Sequence, residues 1–251
     1  MLQKIYAVYA IMLFVIMVLV LLPFAILVAA FNKRQRGLAV MKMAHIWSDV
    51  WLFFIGIRHK RIVEQELKKG QPYIFVSNHN SYMDIPQLLK AVRTPVKGLG
   101  KEEAGNIPLF GLIYNAGVIT VKRSCPEDRA KSVAELKDTL HNNISIYIAP
   151  EGTFNETTAP LSKFYDGAFR LAIETQTPIK PMLFLDAVDR LHWSHFLTLT
   201  PGKLRTVYLE EISPAGYGPG DVELLKQKVF KLMEERILFY QPSWIQIPAS
   251  I

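Results

Sequence analysis

A histidine and an aspartate lie five positions apart in "VSNHNSYMDIP", residues 76 to 86, a polar loop straight after an apolar run. An imidazole held by a carboxylate can act as a general base. The carboxylate fixes the tautomer and raises the basicity of the other ring nitrogen. Five residues along one helix would leave His79 and Asp84 roughly 140° apart, too far round to meet. A pair therefore requires a loop that folds back before the next helix begins. Two readings of Asp84 stand on spacing alone: it partners His79, or it caps the helix whose first turn holds Pro86. Ser77 and Ser81 lie nearby, but the chain has no G-x-S-x-G elbow to make a serine the nucleophile.

The elements around this loop are those of an α/β protein. "YIFVS" (73–77) is a continuous apolar run, as in a strand buried on both faces. A helix is expected over 85–92, and "GVITV" (117–121) and "ISIYIA" (144–149) read as strands. Between them, Pro126 suits the first turn of a helix with Val133, Leu136 and Leu140 on one stripe. A helix over 166–175, an extended run over 178–185 and a late strand over 204–212 follow. Asp221 is expected to cap a last helix to about Tyr240, with Leu224, Leu225, Val229, Leu232 and Ile237 inward. Such alternation implies a mixed, mostly parallel sheet covered by helices. In these sheets working residues gather beyond the C-terminal ends of strands, which is where His79 falls.

The N-terminal region is of another kind. Residues 5–31 carry no charge across 27 positions. As a helix they would be roughly 40 Å long, against about 30 Å of bilayer hydrocarbon. The run either spans the membrane or dips into one leaflet and returns with a second apolar segment, 46–57. If it spans, Lys33, Arg34, Arg36 and Lys42 outweigh Lys4 and put the rest of the chain on the cytoplasmic face. Trp47, Trp51, Phe53 and Phe54 suit either an interface or a core. Residues 1–58 are thus expected to form a membrane anchor and 59–251 a single domain. A net charge of +7 beside such an anchor points to an anionic bilayer surface and not to nucleic acid. One cysteine, Cys125, excludes an internal disulfide and a cysteine-based zinc site. His192 and His195 are three apart, but no ligand pattern surrounds them, so no metal is expected.

"NHNSYMD" (78–84) resembles the N-H-x4-D block of the glycerolipid acyltransferases, in particular the 1-acylglycerol-3-phosphate (lysophosphatidic acid) acyltransferases. Further blocks follow in that family's order: "GKEEAGNIPLFG" (100–111), "GVITVKR" (117–123), "APEGTFN" (149–155) and "PIKPML" (178–183). Two positions depart from the family pattern. Phe154 stands where an arginine usually follows E-G-T, and Lys122 stands where an acidic residue usually precedes Arg123.

The resemblance implies acyl transfer from a thioester, either acyl-CoA or acyl carrier protein, to a glycerol hydroxyl, with no cofactor bound. It gives His79 and Asp84 catalytic roles and assigns Lys101, Arg123, Glu151, Gly152 and Thr153 to the acceptor, with Lys122 and Lys163 as further candidate cations. Backbone amides of the 78–84 loop are expected to hold the oxyanion. Phe154 leaves open a lysolipid acceptor with another head group. A thioester or lipid-ester hydrolase and a non-catalytic lipid module are the rival classes.

Overall fold

The computed structural model describes residues 1–28, 30–107, 110–121 and 126–245. Helices α1 (Leu2–Val28) and α2 (Lys33–Phe54) come first, then strands β1 (Ile57–Val63) and β2 (Ile74–Ser77) and helix α3 (Asp84–Ala91). Strand β3 (Val96–Lys101), helices α4 (Glu102–Gly105) and α5 (Phe110–Gly117), and strand β4 (Val118–Val121) follow. Next come α6 (Pro126–His141), β5 (Ser145–Ile148), α7 (Gly167–Thr175), β6 (Ile179–Phe184) and α8 (Ala187–Arg190). A 3-10 turn at Phe196–Thr198, strand β7 (Gly202–Tyr208) and helix α9 (Val222–Tyr240) complete the order.

The seven strands form one sheet in the order β1-β7-β6-β2-β5-β3-β4. Every neighbouring pair is parallel except β6 with β7. Strand β2 is central because both its faces are buried. Ile74 and Val76 enter the core under α6, α7 and α9, while Tyr73 and Phe75 enter the core under α2 and α3. The carboxyl ends of β2, β5, β3 and β4 all open onto one edge of the sheet.

Two strands were not legible as strands. In β1, "RHKRIV" breaks the apolar pattern, which an edge position beside β7 tolerates. It begins at Ile57, just ahead of the expected anchor boundary. In β3, Gly98 and Gly100 mask the signal. A Cβ at Gly100 would collide with the Tyr114 hydroxyl, which donates to the Lys101 carbonyl at 3.1 Å.

Two helix stripes also differ from expectation. Val133 is exposed, whereas Leu136 and Leu140 are buried as expected, with Ser132 and Thr139 buried beside them. Leu224 is exposed and Leu232 is half-buried; the inward line of α9 is Val222, Leu225, Val229, Met233 and Ile237, three or four residues apart. Asp221 makes no side-chain cap on α9, because its carboxylate accepts from the Gly218 amide at 2.7 Å.

Helix α1 buries only Ala7, Ala10 and Ala25. The small side chains of Ala7 and Ala10 let Trp47 and Trp51 of α2 approach, and the Trp51 indole donates to the Ala10 carbonyl at 3.0 Å. Phe14 meets both indoles edge-on, and the indoles stack on each other. The two tryptophans are therefore core, whereas Phe53 and Phe54 are exposed.

Candidate active site

Strand β2 ends at Ser77, and the loop beyond it is held on every side. The Asn78 side chain zips it to β6, donating to the Phe184 carbonyl at 2.9 Å and accepting from the Phe184 amide at 2.8 Å. The Ser77 hydroxyl meets the Tyr147 hydroxyl of β5 at 2.8 Å. Ser81 donates to the Leu191 carbonyl at 2.6 Å. With the main chain fixed this way, the loop turns back sharply and α3 starts at Asp84.

His79 Nδ1 lies 2.7 Å from Asp84 Oδ2. The same oxygen accepts from the amides of Asn80 at 3.0 Å and Ser81 at 3.1 Å. The cap residue of α3 is Met83, without a side-chain cap bond, so Asp84 serves the loop and the imidazole. Asp84 is fully buried. Burial pushes its carboxyl above the usual range, and the hydrogen bond and charge of His79, then the two amides, pull it back. An ionised carboxylate can only accept, so Nδ1 carries the hydrogen and Nε2 keeps its lone pair. Among the described residues Nε2 makes no hydrogen bond, and the imidazole is about one-fifth exposed.

Glu151 follows the neighbouring strand β5 and is 2% exposed. Its Oε1 accepts from the His79 amide at 2.9 Å, and its Oε2 accepts from the Ser162 amide at 2.8 Å and hydroxyl at 2.5 Å. The carboxylate expected to meet the acceptor is thus committed to holding the histidine's main chain. Burial pushes it up, against the Ser162 bonds and the His79 amide. Gly152 has φ +70°, a left-handed conformation of the turn itself that favours glycine. The Asn155 amide then returns to the His79 carbonyl at 2.7 Å.

The other expected contacts are more open. Thr153 is exposed. Lys101 is the last residue of β3, exposed at the same sheet edge as His79. Arg123 and Lys122, like Cys125, lie outside the described residues. Lys163 lines a 340 Å³ cleft against α9 with Lys226 and Phe230. The amides of His79, Asn80, Ser81, Met83 and Asp84 are all bonded within or beside the loop, so they cannot serve as the expected oxyanion donors.

Asn78, Ser162 and Asn155 were not singled out as site residues. Asn78 stood inside the quoted block, but Ser162 is eleven residues past Glu151 and gave no local signal. His192 Nδ1 bonds the Ser194 hydroxyl. Among the described residues no group of three His, Cys, Asp or Glu side chains is placed to hold a metal.

Residues 58–185 match the model of the family described as Acyltransferase. The human 1-acyl-sn-glycerol-3-phosphate acyltransferase beta is 28% identical over 209 residues, 82% of this chain and 74% of that protein. The Mus musculus alpha form is 29% identical over 200 residues, 78% of this chain and 69% of that one. The Haemophilus influenzae 1-acyl-sn-glycerol-3-phosphate acyltransferase is 27% identical over 188 residues, 74% and 76% of the two chains. Among solved structures, the 1-acyl-sn-glycerophosphate (LPA) acyltransferase from Thermotoga maritima has a similar fold. Its TM-score is 0.75 at 21% identity, covering 97% of this chain and 100% of that one.

Proposed function

Since this chain belongs to the acyltransferase family, we propose that it moves an acyl chain from a thioester to the free sn-2 hydroxyl of 1-acyl-glycerol-3-phosphate, giving phosphatidic acid for phospholipid synthesis. The observation that carries this is the 2.7 Å contact between His79 Nδ1 and Asp84, which leaves Nε2 as the base at the mouth of the central strand. The acceptor hydroxyl gives its proton to Nε2 as its oxygen attacks the thioester carbonyl. The C–S bond then breaks, and the imidazolium returns the proton to the departing thiolate. A base so placed contributes typically about 10²–10⁴-fold. The donor is acyl-CoA or an acyl carrier protein, and the chemistry needs no bound cofactor.

Lys101 at the end of β3, and Arg123 two residues past β4 in sequence, supply positive charge for the acceptor's phosphate. All three curated relatives carry the phosphate-bearing acceptor in their names, which favours it over another head group despite Phe154. A panel of lysolipids with phosphate, choline, ethanolamine and glycerol head groups, each with one acyl-CoA, tests the reading. The phosphate monoester should turn over fastest. No turnover of it, with turnover of another, would overturn the assignment.

The helix pair meets the lipid. Helix α2 is fastened along its length to the domain: Met41 sulfur accepts from the Val96 amide, Ser48 donates to the Pro86 carbonyl at 2.7 Å, and Asp49 pairs with Lys90 at 2.7 Å. Helix α1 runs antiparallel along α2, with Tyr6 bonded to the Ile55 carbonyl and Tyr9 to that of Phe54. A helix lying along the domain does not project from it, so the pair enters one leaflet with its apolar outer face. Ile5, Met12, Ile16, Leu19 and Val20 of α1 and Ile46 and Phe53 of α2 are exposed on that face. The domain rests on the cytoplasmic side, held to anionic headgroups by its basic residues. Phe53→Asp should weaken binding to phosphatidylglycerol vesicles by about 10-fold or more, the loss of one buried aromatic. Undiminished flotation would contradict this placement.

A further inference from the structure

Phe154 is a departure from the resembled family, and the structure gives it a place. Its ring centroid lies 4.5 Å from that of the His79 imidazole, with the planes at 52°. The same ring meets Tyr82 edge-on at 4.8 Å, and Tyr82 in turn meets Phe196 at 4.6 Å. The imidazole is therefore gripped in two directions, by Asp84 through Nδ1 and by an aromatic ring against it.

Proton transfer to Nε2 makes the imidazole a cation for part of each turnover. The face of a benzene ring carries negative potential and attracts a cation, by roughly two- to five-fold in an equilibrium at a partly exposed site. A guanidinium in the same position would repel it. We propose that Phe154 is a positioning residue for the acyl transfer: its ring fixes the plane of the His79 imidazole and stabilises the imidazolium. This rests on the general-base reading of His79. The chain thereby sets an aromatic ring against the base where the resembled family carries a cation. Among the described residues, the titratable groups bonded to His79 are Asp84 on α3, through its ring, and Glu151 after β5, through its main-chain amide.

The test uses the full chain in detergent micelles, with Phe154→Leu, Phe154→Tyr and Phe154→Arg. The His79 ring protons are titrated by NMR, assigned by their loss in His79→Gln, and kcat, KM and the acid limb of the rate are followed in parallel. Phe154→Leu should lower kcat about three- to five-fold, leave KM for the acceptor nearly unchanged, and move the titration to lower pH. Phe154→Tyr should restore both, and Phe154→Arg should move the titration further down. Unchanged titration in the Leu and Arg variants would overturn the proposal, whatever happens to thermal stability. If the titration moves but the acid limb does not follow it, the ring contact stands. The general-base reading then fails, and the catalytic role of Phe154 fails with it.

Discussion

At the ends of β2 and β5 the polar side chains are buried and tied to one another, whereas at the end of β3 Lys101 stands exposed. Asp84 accepts three hydrogen bonds on one oxygen, and Glu151 accepts three across two. The difference follows from what each region must do. Moving a proton requires a base fixed to within a fraction of an ångström, which a packed and hydrogen-bonded loop supplies. Attracting a phosphate requires positive charge, which a solvated lysine provides as a point charge without arginine's fork. On the proposed reading, the reaction belongs to the rigid half and the acceptor to the open half.

Damage to the rigid half should be far more severe. His79→Ala should lower kcat by about 10²–10⁴-fold, with circular dichroism and vesicle binding unchanged. A variant that acylates within two-fold of the parent would erase the contrast between the halves.

Glu151→Gln presents an amide donor to a site where three donors already converge. It should destabilise by about 1–3 kcal/mol and lower kcat through the misplaced His79 main chain. The pH dependence carries a sign. Asp84 and Glu151 both have folded carboxyls raised above the unfolded value of about 4. Between the unfolded and the raised folded values the unfolded chain holds fewer protons, so stability falls as pH rises above about 4. Thermal melts should show that fall in the parent and a shallower one in Glu151→Gln; equal slopes would rule Glu151 out as a contributor.

The smallest effect belongs to the open half. Lys101→Ala should raise KM for 1-acylglycerol-3-phosphate about three- to five-fold, as for a single exposed charge pair, and leave kcat within two-fold. A kcat loss matching that of His79→Ala would place Lys101 in the rigid half instead.

The sequence made the first region legible because its signals are local. The apolar run 73–77 marks a strand buried on both faces, and a histidine just past it must sit at the strand's end. The expectation that His79 and Asp84 meet needed only a loop, and the loop is there. What was hidden depends on distant partners. Glu151 reads as a ligand until Ser162 and the His79 amide are seen to take its oxygens. The loop amides read as oxyanion donors until Asp84 takes two of them. Strand β3 was obscured by Gly98 and Gly100, and the reason for Gly100 is Tyr114, more than ten residues ahead. The packing of α1 along α2 rests on tertiary contacts of Trp51 and Tyr6 with the facing helix, which no hydropathy pattern contains.

The central claim is that a lipid alcohol, deprotonated by His79, attacks the thioester directly. Rapid mixing of the enzyme with acyl-CoA, monitoring free thiol with and without 1-acylglycerol-3-phosphate, tests it most directly. The account predicts no thiol before the acceptor arrives and one thiol per phosphatidic acid afterwards. A burst of thiol equal to the enzyme concentration with no acceptor present would reveal an acyl-enzyme and contradict it.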